Sequence, residues 1–150
     1  MSFSDKVFAL ILSILFVLFM SAYAEDARSE TEDYLLLGQW SRHHGDASQY
    51  NQTHGLIGFE RNNYSVGYYN NSYNDPSWFV GYSKKHTPES LPSVQLKLSY
   101  VAVTGYEGMA IVPLMVPGMT IGRGLIQLDI SYIPMVAATF GFRVNLSCLK

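Results

Sequence analysis

Two short stretches carry side chains that could do chemistry together. YYNNSYNDPSWFVGY, residues 68–82, sets one hydroxyl, Ser72, among Asn70, Asn71 and Asn74, between two aromatic, strand-like runs. WSRHH, residues 40–44, ends another such run on two imidazoles, His43 and His44. A base and a hydroxyl within hydrogen-bond reach of each other are what acyl transfer requires. Amide donors such as those of Asn71 can help hold an oxyanion. Asn, Ser and His are also ordinary turn residues, and composition alone favours that plainer reading. The decision rests on whether the intervening elements bring the two stretches to one place.

The chain has 150 residues, a formal net charge of −2, one cysteine (Cys148) and 11 tyrosines. With no basic cluster, nucleic acid is not an expected partner. A single cysteine forms no internal disulfide; near the end of the chain it reads as a small apolar filler. The four histidines lack a metal-ligand spacing, so neither a metal nor a soluble cofactor is expected. At the N-terminus, Lys6 precedes an apolar run from Val7 to Met20, followed by the small-x-small triplet Ala22-Tyr23-Ala24. The run is shorter than the roughly 20 apolar residues of a spanning helix. The pattern is that of a secretory signal peptide over 1–24, leaving 25–150 as one domain. EDARSETEDY, 25–34, is acidic and reads as a tether or a short N-terminal helix.

From Leu35 onward eight segments look like strands: 35–43, 54–62, 64–70, 77–84, 93–105, 110–122, 125–133 and 136–147. Short turns such as Asn62-Asn63, Asn74-Asp75-Pro76 and Arg123-Gly124 separate most of them. Alternation with a period of two is clear. Leu96, Leu98 and Tyr100 share one face and Gln95, Lys97 and Ser99 the other; Phe140, Phe142 and Val144 oppose Thr139, Gly141 and Arg143. The polar faces mix small residues with isolated charges, Glu60, Lys97, Asp129 and Arg143, which suits pairing across a narrow lumen. The apolar faces are long and rich in Tyr and Phe, as a lipid-facing band with aromatic girdles would be. The expected fold is therefore all-β, an eight-stranded antiparallel transmembrane barrel of the bacterial outer membrane with a short N-terminal segment. A soluble secreted barrel carrying a small apolar ligand is the alternative. Strand direction then puts His43, after the first segment, and Ser72, after the third, on one rim.

Pro117 falls inside the sixth segment and Pro134 ends the seventh. Proline cannot donate to a ladder, and a closed barrel has only central strands. Unpaired backbone in lipid is costly unless it lines a cavity or an opening. With Pro113, these residues point to a weakened seam near one rim through which a lipid chain could enter; strand ends and bulges are the plainer explanation.

At these residues the sequence resembles a known family. VPLMVPGMTIGRGLIQLDISYIP, 112–134, resembles the sixth and seventh strands of the PagP-like lipid A palmitoyltransferases of the outer membrane, and 68–82 resembles their third strand, second outer loop and fourth strand. The resemblance implies an enzyme that moves a palmitoyl chain from membrane phospholipid onto lipid A, as a monomer, with the acyl chain in the barrel lumen. It implies that Pro117 and Pro134 flank a lipid gap, that Ser72 stands at the family's serine and Asn71 at its aspartate, and that Ser83 lies at the floor of the acyl pocket. A proline for the family's second gap is not visible in YNQTHG, 50–55. The family's histidine directly follows a tryptophan; here Ser41 follows Trp40, and His43, two residues on, keeps the lumen-facing parity if Trp40 faces lipid, whereas His44 faces out. His43 would serve as base, Ser72 as nucleophile or oxyanion partner, and Asn71 as an uncharged orienting group. A gain of acyl transfer in Asn71→Asp would mark a weakened enzyme. Loss of the family's charge also leaves room for a non-catalytic barrel that binds lipid or stabilises the membrane. Barrels of this type usually end on an aromatic residue, whereas this chain ends RVNLSCLK, with Phe142 its last aromatic.

Overall fold

The computed structural model describes residues 32–44 and 48–149. The expected signal peptide over 1–24 and most of the acidic 25–34 stretch lie outside the described residues. The remainder is an all-β, closed barrel of eight antiparallel strands, each paired with its neighbours in sequence and β1 closing on β8. The strands are β1 (Asp33–His43), β2 (Ile57–Arg61), β3 (Tyr64–Asn70), β4 (Pro76–His86), β5 (Val94–Val103), β6 (Val112–Ile121), β7 (Ile126–Ile133) and β8 (Ala137–Asn145). A short 3-10 turn, Leu146–Leu149, follows.

Period-two patterning sorts the side chains. Gly58 and Glu60 of β2, Gly67 and Tyr69 of β3, and Ser77, Phe79, Ser83 and Lys85 of β4 are buried in the lumen, while Ile57, Val66, Trp78 and Val80 are exposed outside. Asn62 and Asn63, with φ of 50° and 69°, make the type I′ turn that matches the twist of the β2–β3 hairpin. Lumen width is set partly by glycine. Gly58 faces Gly67 across the β2–β3 ladder, and a Cβ on Gly67 would come within 2.4 Å of the Phe79 ring. The two missing side chains are the space that the ring occupies.

Three departures from the expected segments have local causes. Asp33 and Tyr34, grouped by composition with the acidic tether, open β1 by pairing with Arg61 and Glu60. The second segment does not begin as a strand at 54. Gly38 has φ +57° and shifts the register of β1 between Leu37 and Gln39, and Gly55 has φ +54°. Between these kinks residues 52–56 run beside β1 through Gly38 N–H to Leu56 O, His54 N–H to Gln39 O and Ser41 N–H to Gln52 O, without a regular ladder. A bulge of this kind re-aims side chains: Tyr34 and Leu36 point inward before it, and Ser41 and His43 after it. Finally, Leu146 turns out of the last strand into the 3-10 turn.

The lumen has two storeys. At the end away from the His43 rim, Glu60 accepts from Arg143 Nη2 at 2.8 Å and from Lys85 Nζ. Arg143 Nη1 donates to Thr120 Oγ1 at 3.0 Å; Thr120 Oγ1 donates to Asp129 Oδ1 at 2.9 Å, and Lys97 Nζ donates to Asp129 Oδ2 at 2.6 Å. The Arg143 guanidinium lies 3.8 Å from the Tyr34 ring centroid. The isolated charges of four strands thus pair across the interior, as their scatter along the sequence suggested, with Lys85 as an added member. Toward the other rim the lining turns apolar: Leu36, Leu56, Tyr69, Phe79, Val101, Val103, Tyr106, Val112 and Leu114.

Candidate active site

The links β1–β2 (described at 44 and 48–56), β3–β4 (71–75), β5–β6 (104–111) and β7–β8 (134–136) lie on one rim, because the strands alternate in direction. His43 ends β1 and Ser72 is the second residue of the β3–β4 link. His43 Nε2 stands 2.8 Å from Ser72 Oγ. His43 is buried, Ser72 half-buried, and Trp40 on the opposite parity of β1 is exposed. The Tyr50 ring stacks on His43 with centroids 4.9 Å apart and an interplanar angle of 27°. His44 is exposed and packs edge-on against Tyr132. The rim therefore brings together a hydroxyl and an imidazole that are 29 residues apart, at the distance a nucleophile and its base require.

Asn71 does not join them. It is fully buried; its Nδ2 donates to Gly105 O at 2.5 Å, and its Oδ1 accepts from the N–H groups of Tyr73 at 2.8 Å and Asp75 at 3.0 Å. The side chain is a brace for the β3–β4 turn and ties that turn to the β5–β6 link. The orienting role expected for it is not what its contacts serve. An aspartate here would set a carboxylate oxygen against the Gly105 carbonyl, where the amide now donates. Asn71→Asp is accordingly expected to lower stability by about 1–3 kcal/mol, the cost of a buried polar group facing no partner, without raising any rim activity. Denaturant unfolding beside an activity assay checks both halves.

His54 was not singled out by residue type, yet it sits in the same cluster. Its Nε2 is 2.7 Å from Ser41 Oγ and its Nδ1 2.7 Å from the Asn70 carbonyl oxygen; Ser41 Oγ in turn lies 3.4 Å from His43 Nδ1. Burial holds the His54 imidazole below the ordinary histidine pKa, opposed in part by the bond to Asn70. The available signal was parity: stepping back by twos from Glu60 and Gly58 through Leu56 reaches His54.

Beneath the rim lies a cavity of about 560 Å³, within the roughly 300–1,000 Å³ range of small-molecule sites. His43, Ser72 and Tyr50 stand at its mouth, and Phe79, Val101, Val103, Val112 and Leu114 form its walls. Ser83 and Ser99 lie lower, with their hydroxyls 2.8 Å apart, directly above the Lys85 and Lys97 pair in the β4–β5 ladder. The cavity is apolar above this serine pair and charged below it.

The β6–β7 seam is incomplete. Its ladder runs from Ile121–Leu128 to Gly118–Ser131 and ends there, one residue short of Pro117. Nearer the rim, β6 pairs only with β5, and Tyr132 and Ile133 only with β8. Val112, Leu114, Val116, Ser131 and Ile133, from both sides of the break, line the cavity. Pro117 and its β5 partner Leu98 are themselves enclosed, so at Pro117 the seam is a break in hydrogen bonding and not an open slot. Pro134 lies outside the ladder, at the start of the β7–β8 turn. The β1–β2 seam, where no proline occurs, is bridged by the backbone bonds of residues 52–56.

The chain matches no known family model and no curated protein.

Proposed function

We propose that the chain is a lipid A acyltransferase-like barrel of the bacterial outer membrane, transferring a fatty acyl chain such as palmitoyl from phospholipid to lipid A. The observation that carries this reading is the 2.8 Å contact between His43 Nε2 and Ser72 Oγ at the mouth of a deep apolar cavity. The membrane placement is supported by the inversion of polarity: buried ion pairs occupy the lower lumen, while Trp40, Phe59, Trp78, Tyr100, Phe140 and Phe142 are exposed outside. A closed barrel has no free edge to pair with a second copy, which suits a monomer. The resemblance of 68–82 and 112–134 to the lipid A palmitoyltransferases supports the choice of substrates.

Two routes suit the site, and the contact favours the first. In it Ser72 Oγ attacks the acyl ester carbonyl of the phospholipid and its proton passes to His43 Nε2. The ester C–O bond breaks, and the proton leaves with the lysophospholipid oxygen. A lipid A hydroxyl then gives its proton to His43 and attacks the acyl-serine; the Ser72 Oγ–acyl bond breaks, and the proton returns from His43 to Ser72 Oγ. In the second route His43 activates the lipid A hydroxyl directly, and Ser72 donates a hydrogen bond to the oxyanion. The break in the β6–β7 ladder is the entry for the acyl chain in either route.

The test is mass spectrometry of lipid A from cells lacking their own palmitoyltransferase and expressing this chain or its Ser72→Ala variant. An added acyl mass that disappears with Ser72→Ala is the expected result. No added mass, with the barrel shown folded in the outer membrane, rejects the reading. It would favour a non-catalytic lipid-binding barrel, which the commitment of Asn71 to its turn already recommends as the second reading. A companion prediction concerns chain length. Ser83→Met raises the floor above the Lys85–Lys97 layer, and each methylene that no longer fits costs about 1–3 kcal/mol. The added acyl mass is expected to shift to shorter chains, read in the same spectra.

A further inference from the structure

The rim holds more polar machinery than a base and a hydroxyl need, and its hydrogen bonds run in one direction. The Asn70 carbonyl can only accept, so His54 Nδ1, 2.7 Å away, carries the proton. In a neutral ring the other nitrogen then accepts, so Ser41 donates its hydroxyl proton to His54 Nε2 at 2.7 Å. With its proton so directed, Ser41 Oγ is an acceptor on the side of His43 Nδ1, 3.4 Å away. A proton on His43 Nδ1 leaves a lone pair on Nε2, aimed at the Ser72 hydroxyl. Ser41, His43 and His54 are all less than a tenth exposed, and burial lowers the pKa of His54, which favours its neutral ring. Both nitrogens of His43 therefore face hydroxyls, and among the described residues no carboxylate is in hydrogen-bonding contact with it.

We propose that His54, acting through the Ser41 hydroxyl, is the positioning residue for the acyl-transfer base, fixing His43 with its proton on Nδ1 and its lone pair toward Ser72. The inference rests on the acyl-transfer reading above and adds to it the group that orients the base. The orienting information originates in one backbone carbonyl and travels through two side chains. When His43 takes the Ser72 proton it becomes an imidazolium whose Nδ1–H donates to Ser41, and Ser41 still donates to His54. The relay supplies a dipole where triads of the serine-hydrolase kind supply a negative charge. The long Ser41–His43 distance is of the kind that tightens when substrate is bound.

The experiment uses the full barrel refolded in detergent micelles, with ¹⁵N-labelled histidine and His43 assigned by its loss in His43→Gln. Above the titration range of the imidazoles, the wild-type His43 is expected to show a protonated Nδ1 and an unprotonated Nε2. Ser41→Ala and His54→Ala are expected to shift that signal toward the Nε2–H tautomer. Each should lower kcat about 10²-fold, the order of loss for a misplaced catalytic group, with KM unchanged. Ser41→Thr keeps the hydroxyl, and His54→Gln keeps a donor and an acceptor, so both should restore the tautomer. A wild-type His43 protonated on Nε2 overturns the proposal without any variant. So does a tautomer unmoved by Ser41→Ala. The spectrum is read without turnover, so failure of the acyl-transfer reading looks different: it leaves the Nδ1–H signal in place and yields no acylated lipid A.

Discussion

Replacing His43 by alanine is expected to lower acyl transfer by about 10²–10⁴-fold, the usual contribution of a positioned general base, while leaving the barrel folded. His43 ends β1, and its side-chain hydrogen-bond partners among the described residues are two hydroxyls, Ser41 and Ser72. It belongs neither to the ion-pair layer nor to the apolar wall. Its loss removes the Tyr50 stack and the proton acceptor of Ser72, but no ladder bond, since the β1–β8 pairing of His43 with Ala137 is made by backbone. His43→Gln separates geometry from basicity: the amide can still accept from Ser72 but cannot take a proton at neutral pH. Both variants should therefore be inactive, with heat-modifiable electrophoretic mobility and far-UV circular dichroism like the parent. The assay is transfer of labelled acyl chain from phospholipid to lipid A in mixed micelles. Activity within a few-fold of the parent in His43→Ala would remove His43 from the chemistry and with it both routes.

The second large effect concerns the lower storey. Glu60 is buried and accepts from both Arg143 and Lys85, which are buried too. Deleting one member of such a network leaves uncompensated charge behind, at a cost of about 3–5 kcal/mol. Glu60→Ala strands a guanidinium that is 1% exposed and whose remaining supports are Thr120 and the Tyr34 ring face. The expected result is a loss of that size in unfolding free energy, followed in urea by the emission of Trp40 on β1 and Trp78 on β4. Glu60→Gln, which keeps an acceptor of the same shape, is expected to lose less. A change under about 0.5 kcal/mol in Glu60→Ala, typical of an exposed site, would show that water reaches the network and screens it. The layer also bears on function, because it is the charged base on which Ser83 and Ser99 close the cavity. Softening it should blur the acyl-chain limit that Ser83→Met sharpens.

The barrel was legible because period-two patterning is a local property. Each strand declares its two faces over a few residues, and eight such declarations with short turns leave few ways to close a sheet. The same parity placed Ser41 and His43 on the inner face once Trp40 was put outside. Strand direction placed His43 and Ser72 on one rim. Even the pairing of scattered lumen charges follows, since isolated carboxylates and cations inside a narrow barrel must find one another.

The remainder depended on contacts between residues distant along the chain, and no period carries those. Asn71 and Ser72 are adjacent and alike in polarity, yet Ser72 meets an imidazole and Asn71 braces Gly105, because the turn hands its two side chains to different neighbours. His54 reads as the start of the second strand, but the kinks at Gly38 and Gly55 lay residues 52–56 beside β1 without a regular ladder and press it onto Ser41. Pro117 forecasts a weak seam from its missing N–H. How far the break runs, and that Leu98 and Pro117 are enclosed, followed only when β6 met β5 and β7. Residue type and parity assign each side chain to a face and a rim; the partner it meets there is set by register, bulges and packing, which exist only once the sheet has closed.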